Sequence, residues 1–194
     1  MTFHSPIRRS RPTGQSMTGS AYFMASTVDP LETHTLVVEV DNEPGVLARV
    51  VGLFSGRGYN IESLTVSETQ HAEHVSRITV VTTGTVGVID QIKAQLERLV
   101  PVHKVVDLTE TSRALERELL LIKVRGKGED RVEALRLADA FRARVVDATT
   151  ESFIFELTGK GEKLDQFIEL MRPIGLVEVS RTGIAAIGRG PTSV

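Results

Sequence analysis

Among its 194 residues the chain has no cysteine and no tryptophan, and aromatic residues make up only 5%. Without cysteine there is no disulfide frame, no thiolate metal site and no cysteine nucleophile, which fits a reducing cytosol. No apolar run approaches the roughly 20 residues that a spanning helix needs, so the chain is expected to be soluble, with no membrane partner. Charge of one sign is also scarce: 23 basic against 25 acidic residues leave a net charge of −2. That balance gives no global electrostatic reason to bind nucleic acid or a membrane surface. No serine, histidine and carboxylate set is marked out as a catalytic triad by its order alone.

What is present is enough apolar content, 41% of residues, for one domain or two small ones. Small domains often associate to bury sufficient surface, so an oligomer is expected. Residues 1–32 stand apart. Arg8, Arg9 and Arg11 are scattered among serines with no acidic residue before Asp29, and no periodicity is visible. The segment reads as a disordered tail, or as sequence upstream of a true start at Met17 or Met24; its composition also suits an organellar transit peptide.

From Thr33 strand and helix patterns alternate. Leu36 to Val40 suits a central strand, and Val46, Leu47, Val50, Val51 and Phe54 recur at helical spacing until Gly56 and Gly58. Ile61 to Ser67 and Val75 to Thr82 are β-rich runs joined by the polar residues 70–74, a hairpin. Ile89, Ile92, Leu96 and Leu99 form a second helical stripe, and Val102 to Leu108 a fourth strand after Pro101. Residues 33–109 are thus expected to fold as a βαββαβ unit, with 110–116 as a charged linker. Residues 117–190 repeat the order: strand Leu119 to Val124, helix Arg131 to Arg142 with Leu135, Ala138 and Phe141 on one side, strand Val145-Val146, strand Phe153 to Leu157, a helix carrying Leu164, Phe167, Ile168 and Met171, and a last strand Leu176 to Ser180. The class is α+β, two ferredoxin-like sandwiches with helices on one sheet face.

The motif with chemical content is Asp41-Asn42-Glu43-Pro44-Gly45-Val46-Leu47, followed by Gly58-Tyr59-Asn60-Ile61. The polar cluster can cap the helix, Pro44 suits the turn, and Gly45 lets a ligand approach the backbone. Free N–H groups of Val46 and Leu47 at the helix start would favour a carboxylate. An ordinary capping turn explains the same spacing. Other motifs are weaker. Gly56-Arg57-Gly58 follows a helix and lacks the third glycine of a dinucleotide loop, and His71 and His74 have no third ligand in sequence.

This loop resembles the ligand loop of the ACT domain, an amino-acid sensor. The stretch from about Glu32 to Gly190 resembles the small regulatory subunit of acetolactate synthase, through Gly52-Leu53-Phe54-Ser55, Tyr59 to Val66, Ser76-Arg77-Ile78-Thr79, Arg117-Glu118-Leu119 and Arg181-Thr182-Gly183. The resemblance implies a chain without catalytic residues, metal or cofactor of its own. It would activate a large catalytic subunit carrying thiamine diphosphate, magnesium and FAD, and confer feedback inhibition by valine. It further implies a homodimer through the ACT domain, with Asn42, Gly45, Val46 and Leu47 of one chain facing Asn60 and Ile61 of its mate around the effector. The second unit would then contact the catalytic subunit, in the cytoplasm or, if the tail directs import, in an organelle. A free-standing ACT sensor of another enzyme is the alternative. An RNA-binding sheet is disfavoured because Ser76 to Val81 offers no stacking ring.

Overall fold

The computed structural model describes residues 29–70, 74–110 and 114–191. Most of the expected tail, residues 1–28, lies outside these, as do His71 and the start of the second unit's approach, 111–113. The first sheet has the order β2-β3-β1-β4, all neighbours antiparallel. Its strands are β1 (Glu32–Asp41), β2 (Ser63–Gln70), β3 (Val75–Gly84) and β4 (Val102–Asp107), connected through α1 (Val46–Arg57) and α2 (Val86–Leu96). Because side chains alternate along a strand, Leu36, Val38 and Val40 of β1 point to one face. There they pack with Ile78 and Val80 of β3 against Val50, Leu53 and Phe54 of α1 and Ile89, Ile92 and Leu96 of α2. The hairpin and both helices fall where the hydrophobic periods put them. Leu99, expected on the second helical stripe, lies beyond the end of α2 in the following turn, where it is partly buried against this core.

The second sheet, β6-β7-β5-β8, comprises β5 (Ala114–Arg125), β6 (Arg144–Ala148), β7 (Ser152–Gly159) and β8 (Leu176–Arg181), with α3 (Glu129–Phe141) and α4 (Gly161–Gly175). Its core joins Leu120, Ile122 and Val124 of β5 and Phe153, Phe155 and Leu157 of β7 to Leu164, Phe167 and Met171 of α4. One helical face differs from expectation. Ala138 is buried and Phe141 packs against the core as expected, but Leu135 is 40% exposed and Ala134 takes its place on the buried side. Two alanines four residues apart make a flat strip on which α3 can lie close, which turns the bulkier Leu135 outward.

Two further departures belong together. Ala114 to Glu116, expected within the linker, already form the start of β5, and a short strand β9 (Ala185–Gly188), beyond the last strand expected for the unit, pairs with them. The register runs from Ala114 opposite Gly188 to Arg117 opposite Ala185. This two-stranded ribbon lies on the face of the first sheet that the helices leave open, where Val37, Leu108 and Ala186 are buried with Val106, Ala114 and Ile184 packed beside them. Neither segment can be read locally, because a four-residue run of small residues carries little β signal without the surface it covers. No helix among the described residues is long and apolar enough to cross a membrane.

Phe155 is fully buried, with ring centroids of Phe153 at 5.5 Å and Phe167 at 6.3 Å. Phe155→Ala is expected to cost about 3–5 kcal/mol, a large share of the stability of a chain this size. A urea titration followed by circular dichroism measures it as a fall in the midpoint.

Candidate functional site

The turn before α1 is set by backbone constraints. Asp41 N–H donates to Pro101 O at 2.9 Å and Asn42 N–H to His74 O at 2.6 Å, which ties the end of β1 to both neighbouring connections. Gly45 precedes the helix at φ +89, a left-handed conformation that explains glycine here. A Cβ built on Gly45 would meet nothing within 4 Å, so this side of the turn is open.

The expected side-chain cap is absent. α1 has no side-chain cap hydrogen bond, and the Asp41 carboxylate instead sits 2.6 Å from His103 Nε2 on β4. With Gly45 in the left-handed region, the chain enters the helix by a backbone turn in which the Val46 N–H donates to Glu43 O at 3.3 Å. Val46 therefore offers no free donor and is 3% exposed, which corrects half of the donor pair expected from sequence. The N–H groups of Leu47 and Ala48 have no acceptor among the described residues; the next donor, Arg49 N–H, bonds Gly45 O at 3.1 Å. The pair of helix-start donors is displaced by one residue. Unpaired N–H groups at a helix start are the kind of donor that favours an anion.

At the other end of α1, Gly58 caps the helix at φ +71 and the Tyr59 N–H returns to Phe54 O at 3.0 Å. Tyr59 sets its ring edge-on to Phe54 at 6.3 Å. Asn60 is exposed, while Ile61 is half-buried against the first core. The Asn60 backbone carbonyl accepts a hydrogen bond from Thr82 Oγ1 at 2.6 Å, and Thr82 itself is fully buried. Thr82 pairs across the sheet with His34, whose Nδ1 lies 2.6 Å from Asp107 Oδ2, so a buried polar layer supports Asn60 from below. Thr82 was not legible as a site residue, because only the sheet register brings it under Asn60.

Asn42, Gly45, Val46 and Leu47 thus cluster at the start of α1, and Asn60 and Ile61 follow its end. The helix between the two ends is 12 residues long, about 18 Å along its axis. One protomer does not bring the two clusters together.

A second polar cluster lies where the sheets meet. Arg181 at the end of β8 grips Glu118 with two hydrogen bonds, Nε to Oε1 at 2.9 Å and Nη2 to Oε2 at 2.5 Å, and reaches Asp165 on α4 with Nη1 at 2.6 Å. The bond to Glu118 raises the guanidinium pKa further above its ordinary value. Arg181 is charged at any working pH. Among the described residues no group of three or more His, Asp or Glu side chains could hold a metal ion.

An antiparallel βαββαβ sandwich whose first helix opens on a left-handed glycine facing free space belongs to the ACT class, and residues 36–104 match the family described as the AHAS small subunit-like ACT domain. Residues 117–190 match the family described as the small subunit of acetolactate synthase. The chain is 49% identical over 157 residues to a probable acetolactate synthase small subunit of Archaeoglobus fulgidus, covering 81% of this chain and 97% of that protein. It is 44% identical over 160 residues to the acetolactate synthase small subunit of Haemophilus influenzae, covering 82% and 97%. The crystal structure of the acetolactate synthase small subunit from Thermotoga maritima superposes with a TM-score of 0.76 at 37% identity, over 83% of this chain and 99% of that one. The chain belongs to the acetolactate synthase small-subunit family, the regulatory and not the catalytic side of that enzyme.

Replacing Thr82 with valine keeps the shape and removes the hydroxyl that holds Asn60. Thr82→Val is expected to destabilise the chain by about 1 kcal/mol, read from its urea midpoint, and to speed amide exchange at residues 59–62.

Proposed function

We propose that this chain binds valine at its ACT domain and activates an acetolactate synthase catalytic subunit while making it sensitive to that amino acid, in the cytoplasmic synthesis of branched-chain amino acids. Thiamine diphosphate, magnesium and FAD belong, in this reading, to the catalytic chain. The observation that carries it is the split arrangement of the expected pocket. The open glycine and the Leu47 and Ala48 donors suit a carboxylate, Asn60 suits an ammonium group, and Ile61 suits an isopropyl wall. Since α1 holds these sets apart, two copies related by a two-fold axis would each complete the other's half. β2 is an edge strand of the first sheet, paired as a strand only with β3 among the described residues. Pairing of two such edges would both cover them and bring Asn60 of one copy toward the helix start of the other. The residues 117–190 then serve the catalytic chain.

Three outcomes follow. Light scattering at micromolar concentration with valine present is expected to give at least twice the 21.2 kDa chain mass; a monomer mass contradicts the shared pocket. The isolated chain is expected to turn over no pyruvate and to raise the rate of its catalytic partner. In the reconstituted enzyme, Gly45→Asp places bulk and negative charge beside the effector carboxylate, and Asn60→His replaces an amide with a larger ring. Each is expected to weaken valine inhibition about 5- to 150-fold while leaving activation in place. Gly45→Ala, which carries the strain of φ +89 without the charge, separates the two effects. Unchanged inhibition in both Gly45→Asp and Asn60→His removes this pocket from the reading.

A further inference from the structure

We propose that the peptide Gly183–Ile184, seated on Ser63 and Thr65, is the element through which an occupied ACT pocket changes the second unit. The inference rests on the proposed role of Asn60 and Ile61, because Ser63 follows Ile61 by two residues and is the first residue of β2. The Ile184 N–H donates to Ser63 Oγ at 2.8 Å, and the Ile184 carbonyl accepts from Thr65 Oγ1 at 2.8 Å. Ser63 and Thr65 lie on one face of the strand. Together they hold both backbone polar groups of a single residue of the other unit, Ile184.

Gly183 makes the approach this close. Its φ is +83, and a Cβ there would come within 2.7 Å of Ser63 Oγ and 3.1 Å of Thr65 Cγ2. Its N–H points the other way, to Glu118 Oε1 at 3.2 Å, and Glu118 is the buried carboxylate locked to Arg181. One dipeptide is therefore bonded to β2 of the first sheet on one side and to the β5–β8 pair of the second on the other. Beside it lies an open groove of about 480 Å³, bounded by Glu62, Ser63 and Leu64 from the first unit and by Glu118, Arg181 and Thr182 from the second. A groove of that size leaves β2 room to move against its seat. A ligand that pulls on Asn60 and Ile61 shifts Ser63, and the peptide it grips transmits the shift to Arg181 and β8.

Static packing would produce the same contacts without the coupling, and the two differ in a measurable way. The test uses the full chain with Ser63→Ala and Thr65→Val combined, which removes one acceptor and one donor and touches no proposed effector residue. Gly183→Ala serves as a second, independent variant, and urea midpoints establish that each is folded. Valine binding to the chain alone is measured by calorimetry, and inhibition is measured on the reconstituted enzyme. Coupling predicts a valine Kd within about threefold of the parent, retained activation, and residual activity at saturating valine raised to at least about half of the uninhibited rate. Unchanged depth of inhibition in both variants overturns the inference. So does lost binding, which would make the seat part of the pocket, and so does lost activation, which would make it part of the catalytic-chain contact. If Gly183→Ala does not fold, the double variant decides. Failure of the underlying reading is distinguishable, since the parent chain would then bind no valine before any substitution is made.

Discussion

A sheet has two faces, and in the first unit the helices cover only one. Strand β1 is apolar toward both: Leu36 and Val38 on the helix side are fully buried, and Val37 on the other side is 1% exposed. Burying a side chain such as Val37 or Leu108 is worth about 1.5–3 kcal/mol each, which a small sandwich does not forgo without loss. The ribbon of β9 and the start of β5 meets that need. The polar contacts across the junction follow from it: Thr35 Oγ1 to Glu116 at 2.7 Å, Arg77 Nη2 to the Ala186 carbonyl at 2.9 Å, and the Gly183–Ile184 seat. Among the described residues, the cover of Val37 is supplied by chain that continues into the second unit.

The two helices and the hairpin of the first unit were legible because their periods of 3.6 and 2 are strong and local. The second unit's strands Phe153 to Leu157 and Leu119 to Val124 were legible for the same reason. What escaped depends on partners far away in sequence. β9 is stabilised by Ala114 to Arg117, some seventy positions earlier, and by Val37 beneath it. The buried side of α3 turned on how near α4 lies, which no periodicity within Arg131 to Arg142 records. At the site, Gly45 was readable as a turn glycine, but the identity of the free helix-start donors was not. That depended on a backbone bond from Val46 to Glu43 in place of the side-chain cap that the acidic and amide residues suggested. Thr82 and Ser63 have ordinary strand chemistry. Their importance comes from register alone.

The length of α1 sets the spacing on which the proposed pocket depends. A helix of 12 residues is rigid, and it holds the anion-favouring turn and the Asn60 turn at fixed opposite ends. In a two-fold pair this spacing would yield two equivalent pockets, each drawing on both chains. Effector occupancy would then register on the relation between copies as well as within one, and β2 would carry that relation directly to the junction.

The continuity of β5 has a consequence for how the chain can be divided. Its 12 residues run without interruption from the cover of the first sheet into the centre of the second, pairing with β9 and then with β7 and β8. A cut after residue 110 looks natural on an alignment of family boundaries, yet it would strip the first sheet of its lid and leave Val37 and Leu108 wet. The two halves are separable modules of sequence that share a single piece of architecture. A transplanted sensor half would need a replacement for those few borrowed residues before it could stand alone.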